Sequence, residues 1–313
     1  MIKIVFLDEY SLGGYDLSAI KSLGEYIGYD RTTPEQTLER CKDATIVITN
    51  KVYISGQMMS QLPNLKLIAI AATGMNNVEL DAAAELGIEV KNVSGYSTYS
   101  VAEATLGAAL SLLRNSAYYD NYFKSGAYAA TNDIFHSGRQ ISMLRGKNWG
   151  IIGLGAIGHQ VAHLAEAFGC NIAYSSTSGV VREERYVHKN LSELLQWADV
   201  ISIHSPLNAK TAGLIGKSEL EQMKSTAIII NVARGGIIDE QALADALNNR
   251  NIAGAALDVF SSEPLHSSPL YSLNDPYTLL ASPHTAWAAD DAVKLLIDGI
   301  AANIKNFLLS LPQ

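Results

Sequence analysis

Apolar residues follow two rhythms along the chain. Short unbroken runs rich in Ile, Val and Leu, at 2–7, 44–49, 67–71 and 88–92, have the composition of buried parallel strands. Stretches with helical spacing, such as 33–41 and 79–86, lie between them. This alternation predicts parallel strands joined by crossover helices. Ser100-Val101-Ala102-Glu103 has the form of a capping box with Ser100 as N-cap, opening an Ala/Leu-rich helix that ends near Arg114. From 115 to 146 the sequence is rich in Tyr, Asn and Ser and poor in strand pattern. It reads as a connecting arm and the natural candidate for a subunit contact. A second alternating series follows, with strands expected at 148–152, 171–175, 200–204, 227–232, 253–259 and 278–282. Within it Ile157, Val161, Leu164, Ala165 and Phe168 share one helical face, and 290–309 is a last long helical pattern.

Length and composition narrow the class. A chain of 313 residues favours two domains, and 48% hydrophobic with 17% charged residues suits a globular protein with large cores. The net charge of −8, without a compensating Lys/Arg cluster, argues against a nucleic-acid partner. No apolar run approaches the ~20 residues of a membrane helix, and residues 1–8 are apolar too briefly for a signal peptide, so no membrane role is expected. Cys41 and Cys170 are far apart and in no metal-ligand spacing. They read as reduced buried thiols of a cytoplasmic protein that holds no metal.

The sharpest motif is Gly153-Leu154-Gly155-Ala156-Ile157-Gly158. It follows the strand pattern Trp149-Gly150-Ile151-Ile152 directly, and an amphipathic helix starts at its last glycine. In a strand–turn–helix of this kind the glycines allow a tight turn, close approach of backbone to a pyrophosphate, and close helix–strand packing. The helix N-terminus then offers unpaired N–H groups to the phosphates. An NAD-type site normally carries an acid at the end of the next strand to meet the ribose. Here that strand ends in Ser175-Ser176-Thr177-Ser178-Gly179. The repulsion that excludes a 2′-phosphate is absent, and Arg182 or Arg185 is in range of one. The cofactor is therefore NAD or NADP, with the choice open.

Three later strands run into charged residues: Val232-Ala233-Arg234, Asp258-Val259-Phe260 through Glu263, and Ser282-Pro283-His284. Ligands of an open parallel sheet bind beyond the carboxyl ends of its strands, which would gather Arg234, Glu263 and His284 beside the dinucleotide turn. Reducing a carbonyl to an alcohol requires such a set. A planar guanidinium suits a substrate carboxylate and carbonyl. A histidine is the usual proton donor near neutrality, and a neighbouring carboxylate orients its ring. Taken singly, Arg234 and Glu263 also fit an ordinary ion pair, and His284 a loop cap.

These motifs together, with Asn231-Val232-Ala233-Arg234-Gly235-Gly236-Ile237-Ile238-Asp239 and Ser282-Pro283-His284-Thr285-Ala286, resemble the D-isomer-specific 2-hydroxyacid dehydrogenase family over essentially the whole chain. The resemblance implies two doubly wound α/β parallel-sheet domains. A Rossmann dinucleotide-binding domain at 99–286, including the arm near 115–146, is inserted into a flavodoxin-like substrate domain of 1–98 plus 287–313. It implies Arg234 for substrate and Glu263 with His284 as the catalytic pair. It places Asp258 against the nicotinamide carboxamide and His204, Ser205 and Pro206 along the cofactor cleft, beside Gly153, Gly155, Ala156, Ile157, Gly158, Ser175, Ser176, Val232 and Ala233. The backbone of Thr73, Gly74 and Met75 is expected to face the substrate carboxylate, with Trp287 and Met75 as candidate pocket lining. Within the family, Thr49-Asn50-Lys51-Val52 and Thr73–Asn77 look most like the glycerate dehydrogenase (hydroxypyruvate reductase) branch. The expected activity is hydride transfer between NAD(P)H and a small 2-keto acid, hydroxypyruvate or glyoxylate, in a homodimer. The alternatives are a D-lactate-type or other D-2-hydroxyacid dehydrogenase, and a dinucleotide-sensing co-repressor.

Overall fold

The computed structural model describes residues 2–181 and 185–311. The chain divides into two compact units, Met1–Ser97 with Ala288–Gln313, and Thr98–Trp287.

In the first unit the apolar runs form parallel strands β1 (Lys3–Phe6), β2 (Glu25–Gly28), β3 (Ile46–Thr49), β4 (Leu67–Ile70) and β5 (Glu89–Lys91), in the spatial order β2-β1-β3-β4-β5. Val5 lies level with Ile27 and Val47, Val47 with Ile68, and Ile68 with Val90, so one row of β-branched residues crosses all five strands. Such side chains pack well on a pleated surface, and β1, β3 and β4 are almost wholly buried. The order is flavodoxin-like, with its switch point between β1 and β3. β2, with the sequence Glu-Tyr-Ile-Gly, is an edge strand with exposed ends, and its polar pattern carries no buried-run signal. The helix Asp290–Ser310 completes this unit. It buries Val293, Leu296, Ile297, Ile300, Ile304 and Phe307, and Asn303 Nδ2 donates to Asn92 O at 2.9 Å.

The second unit holds β6 (Asn148–Ile152), β7 (Asn171–Ser175), β8 (Val187–His188), β9 (Val200–Ile203), β10 (Ile228–Asn231), β11 (Gly254–Leu257) and β12 (Leu279–Ala281), all parallel. Their order is β12-β11-β10-β9-β6-β7-β8, the Rossmann arrangement with a seventh strand, and the switch point lies between β6 and β9. The helix Thr98–Leu113 packs on the helix Ala156–Ala167 and on β10 and β11. It starts two residues before the expected cap. Ser100 is inside it, and the Ser100 hydroxyl donates to Ala286 O at 2.6 Å instead of capping the helix. The arm contains a helix, Ser116–Lys124, where Tyr122 stacks on His136 at 3.8 Å between ring centroids. Both cysteines are free and buried, and burial pushes the Cys41 thiol up to about 12 and that of Cys170 up to about 11. Among the described residues, no helix is long and apolar enough to cross a membrane.

Candidate active site

The site is built on the carboxyl edge of the second sheet. At the switch point β6 runs into Gly153, whose φ of +93° is open to glycine and strained for other residues. A Cβ there would also meet Ser205 Oγ at 2.3 Å. Gly153 N donates to Ser175 O at 2.9 Å, and Ser205 Oγ donates to Ile152 O at 3.1 Å, so the turn is tied to the ends of both neighbouring strands. A Cβ on Gly158 would lie 2.4 Å from Gly153 O, which is how closely helix and turn are packed. Gly155, by contrast, faces open space. It precedes the helix Ala156–Ala167, whose first N–H groups, those of Ala156 and Ile157 included, have no intrahelical acceptor.

Beside this turn lies a cavity of about 210 Å³, lined by Gly153, Gly155, Ser176, Thr177, His204 and Pro206 among others, with no carboxylate in its wall among the described residues. Ser175 is buried at the strand end. The Ser176 hydroxyl is occupied locally, donating to Val180 O at 2.8 Å. Arg185 is held by Glu166 at 2.6 Å, and Arg182 lies outside the described residues. Trp149 Nε1 donates to Ser202 Oγ at 2.9 Å, and Ser202 Oγ lies 2.9 Å from His204 Nε2. Nε2 of His204 is therefore engaged by Ser202, as acceptor or as donor according to the ring's tautomer. Its Nδ1 is buried and has no partner among the described residues. Burial pushes His204 down to about 3, so the ring is neutral. An uncovered glycine, open helix N–H groups and an orphaned ring nitrogen around one cavity fit a bound dinucleotide.

Three adjacent strands carry the charged residues that the sequence singles out. After β10, Asn231 clamps the turn that carries Arg234: its Nδ2 donates to Arg234 O at 2.9 Å, and its Oδ1 accepts from Ala233 N at 3.0 Å. Arg234 itself is partly buried, as are Val232 and Ala233. Its Nη1 donates to Ala233 O at 2.6 Å, and it forms no ion pair among the described residues. Gly235 lets this turn lie against the next: a Cβ there would sit 1.7 Å from Phe260 O.

After β11, Glu263 divides its carboxylate between two donors. Oε1 accepts from Phe260 N at 3.1 Å, and Oε2 lies 2.6 Å from His284 Nδ1. Glu263 therefore pairs with His284. Asp258 is 3% exposed and binds the loop after β12: Oδ1 accepts from Ser282 Oγ (2.6 Å) and Thr285 N (2.8 Å), and Oδ2 from Ala286 N (2.9 Å). Its first task is thus to hold the loop bearing His284. His284 adopts φ +55° and donates its N–H to Asp258 O at 2.8 Å. Trp287 Nε1 caps the same loop on His284 O at 2.9 Å. Asn231 and Ser282 are the parts of this edge that the motif reading passed over. The signal available for Asn231 was its place at a strand end before Gly235-Gly236, where Asn commonly braces a turn.

The remaining candidates belong to the first unit. Thr73 Oγ1 donates to Val93 O at 3.1 Å, and Asn92 Nδ2 donates to Thr73 O at 2.6 Å. Met75 packs partly buried against the core of that unit. The N–H groups of Thr73, Gly74 and Met75 meet no acceptor among the described residues.

Residues 106–286 match the model of the D-isomer specific 2-hydroxyacid dehydrogenase NAD binding domain. The whole chain is 39% identical to the whole of a putative 2-hydroxyacid dehydrogenase of Haemophilus influenzae. It is 36% identical to a glycerate dehydrogenase of Methylorubrum extorquens, over 99% of this chain and 98% of that one. Among solved structures, an NADPH-dependent glyoxylate/hydroxypyruvate reductase of Sinorhizobium meliloti, in complex with NADP and malonate, aligns with a TM-score of 0.82 and 26% identity, covering 99% of this chain and 94% of that one.

Proposed function

The chain belongs to the D-isomer specific 2-hydroxyacid dehydrogenase family, and from that premise we propose that it reduces hydroxypyruvate or glyoxylate to D-glycerate or glycolate with NADH or NADPH. The observation that carries this reading is the 2.6 Å pair of Glu263 Oε2 and His284 Nδ1 on the strand next to the Arg234 turn. The M. extorquens and S. meliloti relatives support the choice of substrate.

Gly155, Ala156 and Ile157 hold the pyrophosphate, and His204, Ser205 and Pro206 form the facing wall. When bound, the dinucleotide supplies the hydride. Arg234 binds the substrate carboxylate and polarises its carbonyl through charge-assisted hydrogen bonds. In the first unit, the N–H groups of Thr73–Met75, open among the described residues, are the candidates to meet a substrate carboxylate. As the carbonyl oxygen gains negative charge it takes a proton from His284. Glu263 occupies Nδ1, so the proton leaves from Nε2. The overall change is keto acid plus NAD(P)H and one proton to hydroxy acid plus NAD(P)⁺.

Steady-state kinetics with a panel of 2-keto acids test the substrate. Hydroxypyruvate or glyoxylate should show the highest kcat/KM, and preference for pyruvate or a bulky branched acid defeats the reading. The exposed Phe123, Ile134, Phe135 and Met143 support the arm as the contact of a homodimer. Ile134→Asp should then turn a dimer into a monomer in sedimentation, and a monomeric wild type rejects that contact. Two free buried thiols support a reducing, cytoplasmic setting, which cell fractionation checks.

A further inference from the structure

We propose that Asp8 is a positioning residue for substrate binding: its carboxylate fixes the loop after β3, and Asn77 carries that constraint into Thr73–Met75. The proposal rests on the reading above that this backbone meets the substrate carboxylate.

Asp8 follows β1 at the switch point of the first sheet, is 1% exposed and has no part in the chemistry described so far. Three consecutive backbone N–H groups converge on it: Asn50 N on Oδ1 at 2.9 Å, and Lys51 N and Val52 N on Oδ2 at 2.5 and 3.3 Å. Desolvation pushes Asp8 above the usual carboxylate range, against the lowering effect of those donors. The segment they fix is bonded again on its other side. Asn77 Nδ2 donates to Asn50 O at 3.3 Å and to Val52 O at 3.2 Å, and Ile54 N donates to Asn77 O at 2.8 Å. Asn77 lies two residues after Met75, whose carbonyl accepts from Val78 N at 3.2 Å. The path from Asp8 therefore runs through hydrogen bonds and short lengths of backbone within one unit, and it ends on the carbonyl of Met75, the last residue of the loop with open N–H groups. A neutral Asp8 would present a donor to N–H groups that need an acceptor, and the series would slacken at its start.

The experiment compares wild type with Asp8→Asn and Asn77→Ala. Each substitution should raise KM for hydroxypyruvate by about 3- to 15-fold, the size of one or two lost hydrogen bonds. kcat and NADH affinity should stay within about twofold, as expected when binding shared by ground and transition state is lost. In wild type KM should rise as pH falls and Asp8 takes up its proton, and in Asp8→Asn that part of the rise should vanish. The other charged and titratable groups facing Asp8 are Lys51 on the same loop and Arg31, Tyr10 and Tyr53, which line with it a cavity of about 640 Å³. A purely structural Asp8 would lower the melting temperature without separating KM from kcat. If Asp8→Asn does not fold, Asn77→Ala decides alone. An unchanged KM in the folded variants overturns the proposal. Gly74→Pro, which deletes one of the open N–H groups, separates the two levels of argument. If it leaves KM unchanged, the substrate-loop reading itself is wrong. If it raises KM while the other two variants do not, only the relay from Asp8 is wrong.

Discussion

The two sheets share a design and differ in what stands at their switch points. In the second sheet, the crevice between β6 and β9 is bordered by groups with unused capacity: Gly155 facing open space, the first N–H groups of the following helix, and His204 Nδ1. In the first sheet, the equivalent place between β1 and β3 holds the protein's own anion, with Asp8 on the N–H groups of Asn50, Lys51 and Val52. Backbone amides gather at both edges because strand ends leave them unpaired. At one edge a ligand is left to supply the negative charge, and at the other a side chain already does. Unsatisfied groups at an edge therefore point to binding, and satisfied ones to positioning.

Substitutions of the side chains at the carboxyl edge of the second sheet should consequently act on turnover and affinity, and those in its supporting turns on stability. The largest effect is expected for His284→Ala, which should lower kcat by about 10²- to 10⁴-fold, the usual worth of a general acid. Isothermal titration should find dinucleotide binding intact, and wild-type turnover would remove His284 from the mechanism. Arg234→Ala should lower kcat/KM by about 10- to 100-fold, from loss of a charged hydrogen-bond donor. Arg234→Lys should recover only part of that loss, because an ammonium lacks the planar fork. Ser175→Asp brings a carboxylate to the end of β7 and should reduce kcat/KM for NADPH about tenfold relative to NADH. An unaltered ratio would mean that a 2′-phosphate never approaches this strand end. The smallest change in activity belongs to Gly235→Ala. Its Cβ would meet Phe260 backbone, and the substitution should cost about 1–3 kcal/mol of stability, visible as a lowered thermal midpoint. An unchanged midpoint would show that the two turns are free to separate.

Much of the architecture was legible because both sheets are parallel and covered on both faces, which forces unbroken apolar runs such as Ile46–Thr49 and Ile228–Asn231. β2 and β8 escaped because edge strands need no such run. The start of the helix Thr98–Leu113 escaped because tertiary bonding redirected Ser100, whose hydroxyl is on Ala286 O. At the site, strand-end position was enough to single out Arg234, Glu263 and His284, since it depends only on alternation. Which of them pair depends on turns after different strands, and no local pattern encodes that. The same holds for Asp8, whose partners lie more than forty residues away.

The helix Asp290–Ser310 has a consequence in time. It belongs to the first unit, yet it is made after all of Thr98–Trp287. During synthesis at roughly 5–20 residues per second, the N-terminal unit must wait on the order of ten seconds for the side chains that cover it. The second unit is contiguous and can close as soon as it emerges. The domain that takes the cofactor is thus free to be finished first, and the other is sealed by a helix made only afterwards.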